Sequence, residues 1–214
     1  MNIVMRDTES KENSCNQYYF MISFICNQYY IQEVKNVDQH KWTAINYTLP
    51  REPSRIRVSI WRKLKKIGAV SIQQSMWILP SSDESSGLFN EVKDEVFRNG
   101  GEAFMLAFSP DEDGERMIID KFNAARNEEY GELFEQCEDF FKEIDKEIAR
   151  ENFTFAEIEE NEEELDKLRQ WYGKIVARDT FCSPLREKAE SMLSKCTELL
   201  DGFCDKVYEF NEKS

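Results

Sequence analysis

The sequence predicts an α+β fold, a small sheet-containing domain followed by an acidic domain of helices, and three observations predict it. Between residues 41 and 110, short runs rich in β-branched and aromatic side chains alternate with two amphipathic helical patterns, and Pro or Gly separates them. From about residue 115 onwards the apolar residues recur at helical spacing alone. Charge is also segregated. Residues 41–80 hold eight cations (Lys41, Arg51, Arg55, Arg57, Arg62, Lys63, Lys65 and Lys66) against Glu52, a balance of +7, so the rest of a chain with net charge −14 carries −21. A basic island on an acidic protein faces an anion, packs on acid or sits in solvent.

Taken in order, residues 1–40 read as an added or poorly ordered leader with at most one strand. The pentapeptide Cys15-Asn-Gln-Tyr-Tyr19 recurs there as Cys26-Asn-Gln-Tyr-Tyr30, a single short duplication rather than a repeat architecture. The apolar stretch Tyr18 to Ile31 is broken by Cys26-Asn27-Gln28, too short to span a bilayer and without a small-x-small cleavage site. A cytoplasmic chain with no membrane partner is therefore expected.

Lys41 to Leu49 alternates apolar and polar residues and stops at Pro50, as a strand does. Ser54 is the expected N-cap of a helix to Ile67, with Gly68 ending it. Its core stripe is Ile56, Ile60, Leu64 and Ile67, with Trp61 at the edge and Arg55, Arg62 and Lys66 opposite. Ala69 to Leu79 reads as a second strand and Leu88 to Phe97 as a second helix. Gly100-Gly101 turns the chain into a third strand, Glu102 to Phe108, before Pro110. Strand, helix, strand, helix, strand in about seventy residues indicates a ferredoxin-like βαβαβ domain over 41–110. A doubly wound sheet is the alternative, disfavoured because no glycine-rich phosphate loop follows a strand.

Residues 111–214 read as an acidic three-helix antiparallel domain. Tyr130, Leu133, Cys137, Phe140, Ile144 and Ile148 form the first stripe, and Asn152-Phe153 interrupts it. Thr154 and Glu157 have capping-box spacing ahead of a second stripe of Ile158, Leu165, Leu168, Tyr172 and Ile175, with Asn161 filling the gap. Ser183-Pro184 opens the third helix, with its stripe at Leu185, Ala189, Met192, Cys196, Leu199, Phe203, Val207 and Phe210. Such helices are held by mutual packing rather than by propensity.

The residues disfavour enzyme chemistry. The single histidine, His40, has no partner motif, and none of the six cysteines forms a C-x-x-C pair. Cys182 lies by a helix start, which lowers a thiol pKa, but no base is near it in sequence. Arg178-Asp179 reads as a salt bridge or loop-fixing hydrogen bond. The glutamate run Glu157 to Glu164 lacks a calcium-loop pattern and reads as a solvated face, so no metal or cofactor is expected.

Several stretches together carry a resemblance: Leu49-Pro-Arg-Glu-Pro-Ser-Arg-Ile-Arg-Val58, Trp61-Arg-Lys-Leu64, Gly68-Ala-Val70, Gly100-Gly-Glu-Ala103, Phe122-Asn-Ala-Ala-Arg-Asn-Glu-Glu-Tyr130, Phe153-Thr-Phe-Ala-Glu-Ile-Glu-Glu-Asn-Glu-Glu163 and Ala177-Arg-Asp179. In order and spacing they resemble the N-terminal region of the chromate-resistance regulator ChrB, over about residues 41–210. The resemblance implies a transcriptional regulator that binds promoter DNA and is released by chromate. Full-length members of that family resemble this chain followed by a C-terminal domain associated with sensing, and this sequence ends at Ser214. The first domain also resembles the ferredoxin-like domain shared by the phenylacetate repressor PaaX and a CRISPR-associated nuclease family. Those carry Asp two residues before the proline that ends the first strand. Here Tyr47-Thr48-Leu49-Pro50 puts Thr48 there, which is no anionic metal ligand. The resemblance thus implies the fold and not metal-dependent nuclease activity.

The functional expectation is a DNA-associated transcriptional regulator, forming a homodimer, whose contacts are Arg51, Arg55, Arg57, Arg62, Lys63, Lys65 and Lys66, since clustered cations reach several phosphates together. Ser54 and the helix N-terminal amides add a phosphate site. No helix-turn-helix recognition helix is evident. The same cations fit an oxyanion such as chromate or sulfate. The competing expectation is a non-enzymatic scaffold or oligomerisation protein acting through the helical domain.

Overall fold

A computed structural model describes residues 42–212. The leader over 1–40, with its duplicated pentapeptide, the Tyr18–Ile31 stretch, Cys15, Cys26 and His40, lies outside the described residues. The described chain runs β1 (Trp42–Thr48), α1 (Ser54–Lys66), β2 (Val70–Gln73), β3 (Met76–Pro80), α2 (Asp83–Arg98), β4 (Glu102–Phe108), α3 (Glu112–Ala149), α4 (Phe155–Val176) and α5 (Arg186–Glu212).

The fold class is α+β: an antiparallel four-stranded sheet of order β2-β3-β1-β4, then helices. Because β3 lies between β1 and β2 and is antiparallel to both, β1 and β2 are parallel across it, the split βαβ arrangement of ferredoxin-like sheets. One expectation needs correction. The run expected as a single strand from Ala69 to Leu79 is a hairpin, turning at Gln74-Ser75, so the domain is βαββαβ with four strands. Side-chain and backbone bonds hold the turn: Ser71 Oγ donates to the Gln73 carbonyl at 2.8 Å, and Tyr47 N–H donates to the Ser75 carbonyl at 3.2 Å. A bulge between Ser71 and Gln73 adds twist.

Helix starts or caps differ in four places. In α1 the cap position is Pro53, with no side-chain cap bond, and Ser54 is already helical. Helix α2 begins at Asp83, five residues before the expected Leu88, because Ser82 and Ser85 bond each other's backbone amides in a reciprocal cap. At α4 only half of the expected box forms. Thr154 Oγ1 accepts from Glu157 N–H at 3.3 Å, while the Glu157 carboxylate accepts from Asn152 Nδ2 at 2.8 Å. Pro184 sits in a turn and α5 starts at Arg186, with Ser183 Oγ accepting from Leu185 N–H at 3.2 Å.

Two apolar cores result. Beneath the sheet, Trp42, Ile45, Ile60, Leu64, Ile78, Phe89, Val92 and Val96 are wholly buried. The second core unites α3, α4 and α5 through Tyr130, Leu133, Cys137, Ile144, Ile175, Ala189, Cys196 and Phe203. In α5 the buried positions include Leu193 and Leu200, whereas the expected Met192 and Leu199 flank them half-buried and Phe210 is exposed. The 38 residues of α3, about 57 Å of helix, serve both cores: Ile118 and Phe122 enter the first, Tyr130 onwards the second. Trp42 closes the first core against Phe122 and Phe181, with ring centroids 5.5 and 5.7 Å away. No helix among the described residues is long and apolar enough to cross a membrane.

Candidate nucleic-acid interface

Helix α1 packs Ile60 and Leu64 inward and turns its basic residues out. At 100° per residue, Arg55, Val58, Arg62, Lys65 and Lys66 fall within one outward arc. Arg51, Arg55, Arg62 and Lys66 are exposed and Lys65 is half-buried.

Two of the expected contact residues are engaged within the protein. Arg57 donates from one guanidinium nitrogen to the carbonyls of Pro50, at 3.1 Å, and Arg51, bracing the turn between β1 and α1. Lys63 leans onto α2, 3.3 Å from Glu95 and 3.6 Å from Glu91, and Ser59 Oγ donates to the same Glu95 at 3.3 Å. The basic face therefore has a neutralised flank, along α2, and an open one.

The helix dipole separates ordinary from unusual cations. Lys63, Lys65 and Lys66 occupy the last turn of α1, where a cation favours the helix. Arg55 lies in the first turn, which has no acidic residue, and there the dipole opposes a positive charge. Helix stability therefore gives no reason for Arg55, whose side chain is exposed.

A second polar constellation, buried, sits where α3 meets the loop between α4 and α5. Arg126 is 2% exposed. It donates to Glu129 Oε1 at 2.9 Å and to the Arg178 carbonyl at 3.4 Å, while Arg178 donates to Glu129 Oε2 at 2.8 Å. One carboxylate thus bridges two guanidiniums, and the Nε of each is buried with no hydrogen-bond partner. Burial lowers the Arg126 pKa, against the pull of Glu129, yet a guanidinium stays charged. Beside it, Tyr130 donates to Asp179 Oδ2 at 3.0 Å, Asp179 Oδ1 accepts from Ser183 N–H at 2.9 Å, and Ser183 Oγ lies 2.6 Å from Asn127 Oδ1. Burial first, and then the Asp179 carboxylate, drives the Tyr130 hydroxyl far above its ordinary range. Of the pair expected to make a salt bridge or a loop-fixing hydrogen bond, Arg178 pairs with Glu129 and Asp179 fixes the loop through Tyr130 and Ser183.

The motifs converge on two junctions. Phe122 to Tyr130 and Ala177 to Asp179 build the buried network, and Arg178 also lies over Gly68, where an added Cβ would stand 3.2 Å from the arginine's own Cβ and Cγ. Gly68 has φ +81° and follows Ile67, the C-cap of α1, so the network reaches the end of the basic helix. Leu49 to Val58 and Gly100 to Ala103 meet at the other junction, where Gly101 leaves no room beside the Thr48 carbonyl. Sequence reasoning did not single out Arg126 or Glu129. The signal was there: Arg126 lies four residues from both Phe122 and Tyr130, on the buried stripe itself.

The acidic run Glu157 to Glu164 lines a groove of about 650 Å³ between α3 and α4, together with Asp139, Glu143 and Lys167. Among the described residues, no group of three or more His, Cys, Asp or Glu is placed to hold a metal ion. Cys137 and Cys196 meet in the bundle core. A hydrogen bond to Cys137, and then burial, keeps the Cys196 thiol above its ordinary range.

No curated protein and no solved structure matches the chain. The family described as "Protein ChrB, N-terminal" matches residues 57–214, which take in most of α1 and every residue of the buried network. On that match the chain belongs to the ChrB N-terminal family, the chromate-resistance family that its motifs resemble.

Proposed function

We propose that this chain is a DNA-associated transcriptional regulator that meets nucleic-acid phosphates with the outward face of α1. The observation that carries the reading is Arg55, a cation at the helix end that disfavours one, in line with exposed Arg62 and Lys66. Arg51 and Lys65 extend the contact. Arg57 and Lys63, held by carbonyls and by α2, shape the surface rather than meet phosphate.

The test is fluorescence anisotropy with a duplex from the gene's own upstream region, across a salt series. Each phosphate contact contributes about 0.9 to the slope of log affinity against log salt. Replacing Arg55, Arg62 and Lys66 together by Ala is expected to reduce that slope by about 2 to 3 and weaken binding, with Lys63→Ala changing little. Absence of binding at low salt, or an unchanged slope in the triple variant, would overturn the reading.

A further inference from the structure

The open flank of α1 carries something a phosphate contact does not require. Trp61 is 48% exposed and Val58 44% exposed, both among the arginines and lysines. The cores of the sheet do not use either side chain, and no ring or cation–π contact among the described residues involves Trp61. Spacing places Trp61 in a column one turn before Lys65, at i and i+4, about 6 Å along the helix, and one turn after Arg57, whose guanidinium is held by the Pro50 and Arg51 carbonyls. This column lies away from the flank that Lys63 and Ser59 turn to Glu95.

The chemistry of the face narrows its target. Reading base edges in a major groove uses bidentate amides and carboxylates as well as Arg. From Ser54 to Lys66 there is no Asn, Gln, Asp or Glu. What the outward arc and its edge offer is charge for the backbone and one flat apolar ring, Trp61. A ring beside cations is the pattern that takes a base by stacking, independent of sequence, once that base is free of its neighbours. In an intact duplex the base faces are already stacked and the indole gains nothing from them.

We infer that the preferred ligand of this face is nucleic acid with unstacked bases, a single strand or a melted segment of duplex, with one base lying on Trp61. The inference rests on the proposed nucleic-acid role of α1 and adds to it which structure is bound.

The experiment uses the full chain and three labelled probes of mixed sequence at one salt concentration: a single strand, its duplex, and the duplex with a central unpaired bubble. The single strand and the bubble are expected to bind about tenfold tighter than the duplex. Trp61→Ala is expected to abolish that advantage, a loss of about tenfold on those two probes. Duplex affinity should stay within about twofold, and Trp61→Phe should retain most of the preference because it keeps a π-face. Equal effects of Trp61→Ala on all three probes, or a duplex bound as tightly as the single strand, would overturn the inference while leaving the phosphate contacts standing. An Arg62→Ala/Lys65→Ala/Lys66→Ala variant that binds every probe like the wild type would remove both readings together.

Discussion

Tyr130 shows how far one side chain's chemistry is set by its surroundings. Its hydroxyl donates to Asp179, which also accepts from Ser183, so a single phenol ties α3 to the loop that opens α5. Its pKa is raised above the ordinary 10.0, first by burial. The sign follows from linkage: as pH rises past about 10 the unfolded chain releases this proton before the folded chain does. The stability tied to the neutral hydroxyl is whole below that pH and is lost as pH climbs towards the folded value. Tyr130→Phe is expected to cost about 1 to 2 kcal/mol at neutral pH through the lost hydrogen bond. Its melting temperature should then fall less steeply than the wild type's between about pH 9.5 and 11. Thermal melts across that range check both parts, and parallel curves would contradict the coupling. Tyr172, raised by burial and by its bond to Glu190, keeps its own alkaline sensitivity in either protein. Tyr130 was legible as a core residue from its helical spacing. Its partner Asp179 was not, because that contact joins residues 49 positions apart, a separation that no local pattern encodes.

At the scale of elements, turns decide what apolar patterns leave open. Strand β4 spans the expected Glu102–Phe108, since Gly100-Gly101 and Pro110 punctuate both ends. The hairpin of β2 and β3 was unreadable for the opposite reason: Gln74-Ser75 lacks the Gly or Asn that usually marks a two-residue turn, so one apolar run concealed two strands. The start of α2 was hidden as well, because Ser-Ser-Asp-Glu-Ser-Ser-Gly has the composition of a loop and the cap lies in geometry. Gly101 is the most exacting of the turn positions. An added Cβ there would stand 2.3 Å from the Thr48 carbonyl and 2.8 Å from Val96 Cγ1, against backbone and core at once. Gly101→Ala is therefore expected to destabilise the protein by about 2 to 3 kcal/mol. A urea titration should show a lower midpoint at unchanged m-value, and an unmoved midpoint would mean that the turn relaxes freely. This turn abuts Leu49, just before the segment that Arg57 braces, so the basic helix takes its starting position from the same contact.

For the molecule as a whole, the shared helix sets the behaviour. Helix α3 contributes to both cores, and the ion network of Arg126, Glu129 and Arg178 joins it to the loop between α4 and α5 at the point where the cores meet. Leu133→Ala, made in the bundle alone, is expected to cost about 2 to 5 kcal/mol. Near-ultraviolet circular dichroism, to which Trp42 and Trp77 of the sheet contribute, should shift to the same lower temperature as the far-ultraviolet helical signal. Two separated transitions would show that the cores melt independently. The length of α3 also sorts charge. From Ile118, in the sheet core, to Asp139, on the acidic groove, the helix advances about 30 Å, several times the screening distance of about 8 Å in physiological salt. A counter-ion or a chromatographic resin, sampling the entire surface, meets a protein of isoelectric point near 4.7. A phosphate arriving at α1 meets a cation-rich surface. Retention on an anion exchanger is thus compatible with a cation-rich α1, because acid and base are segregated along the chain.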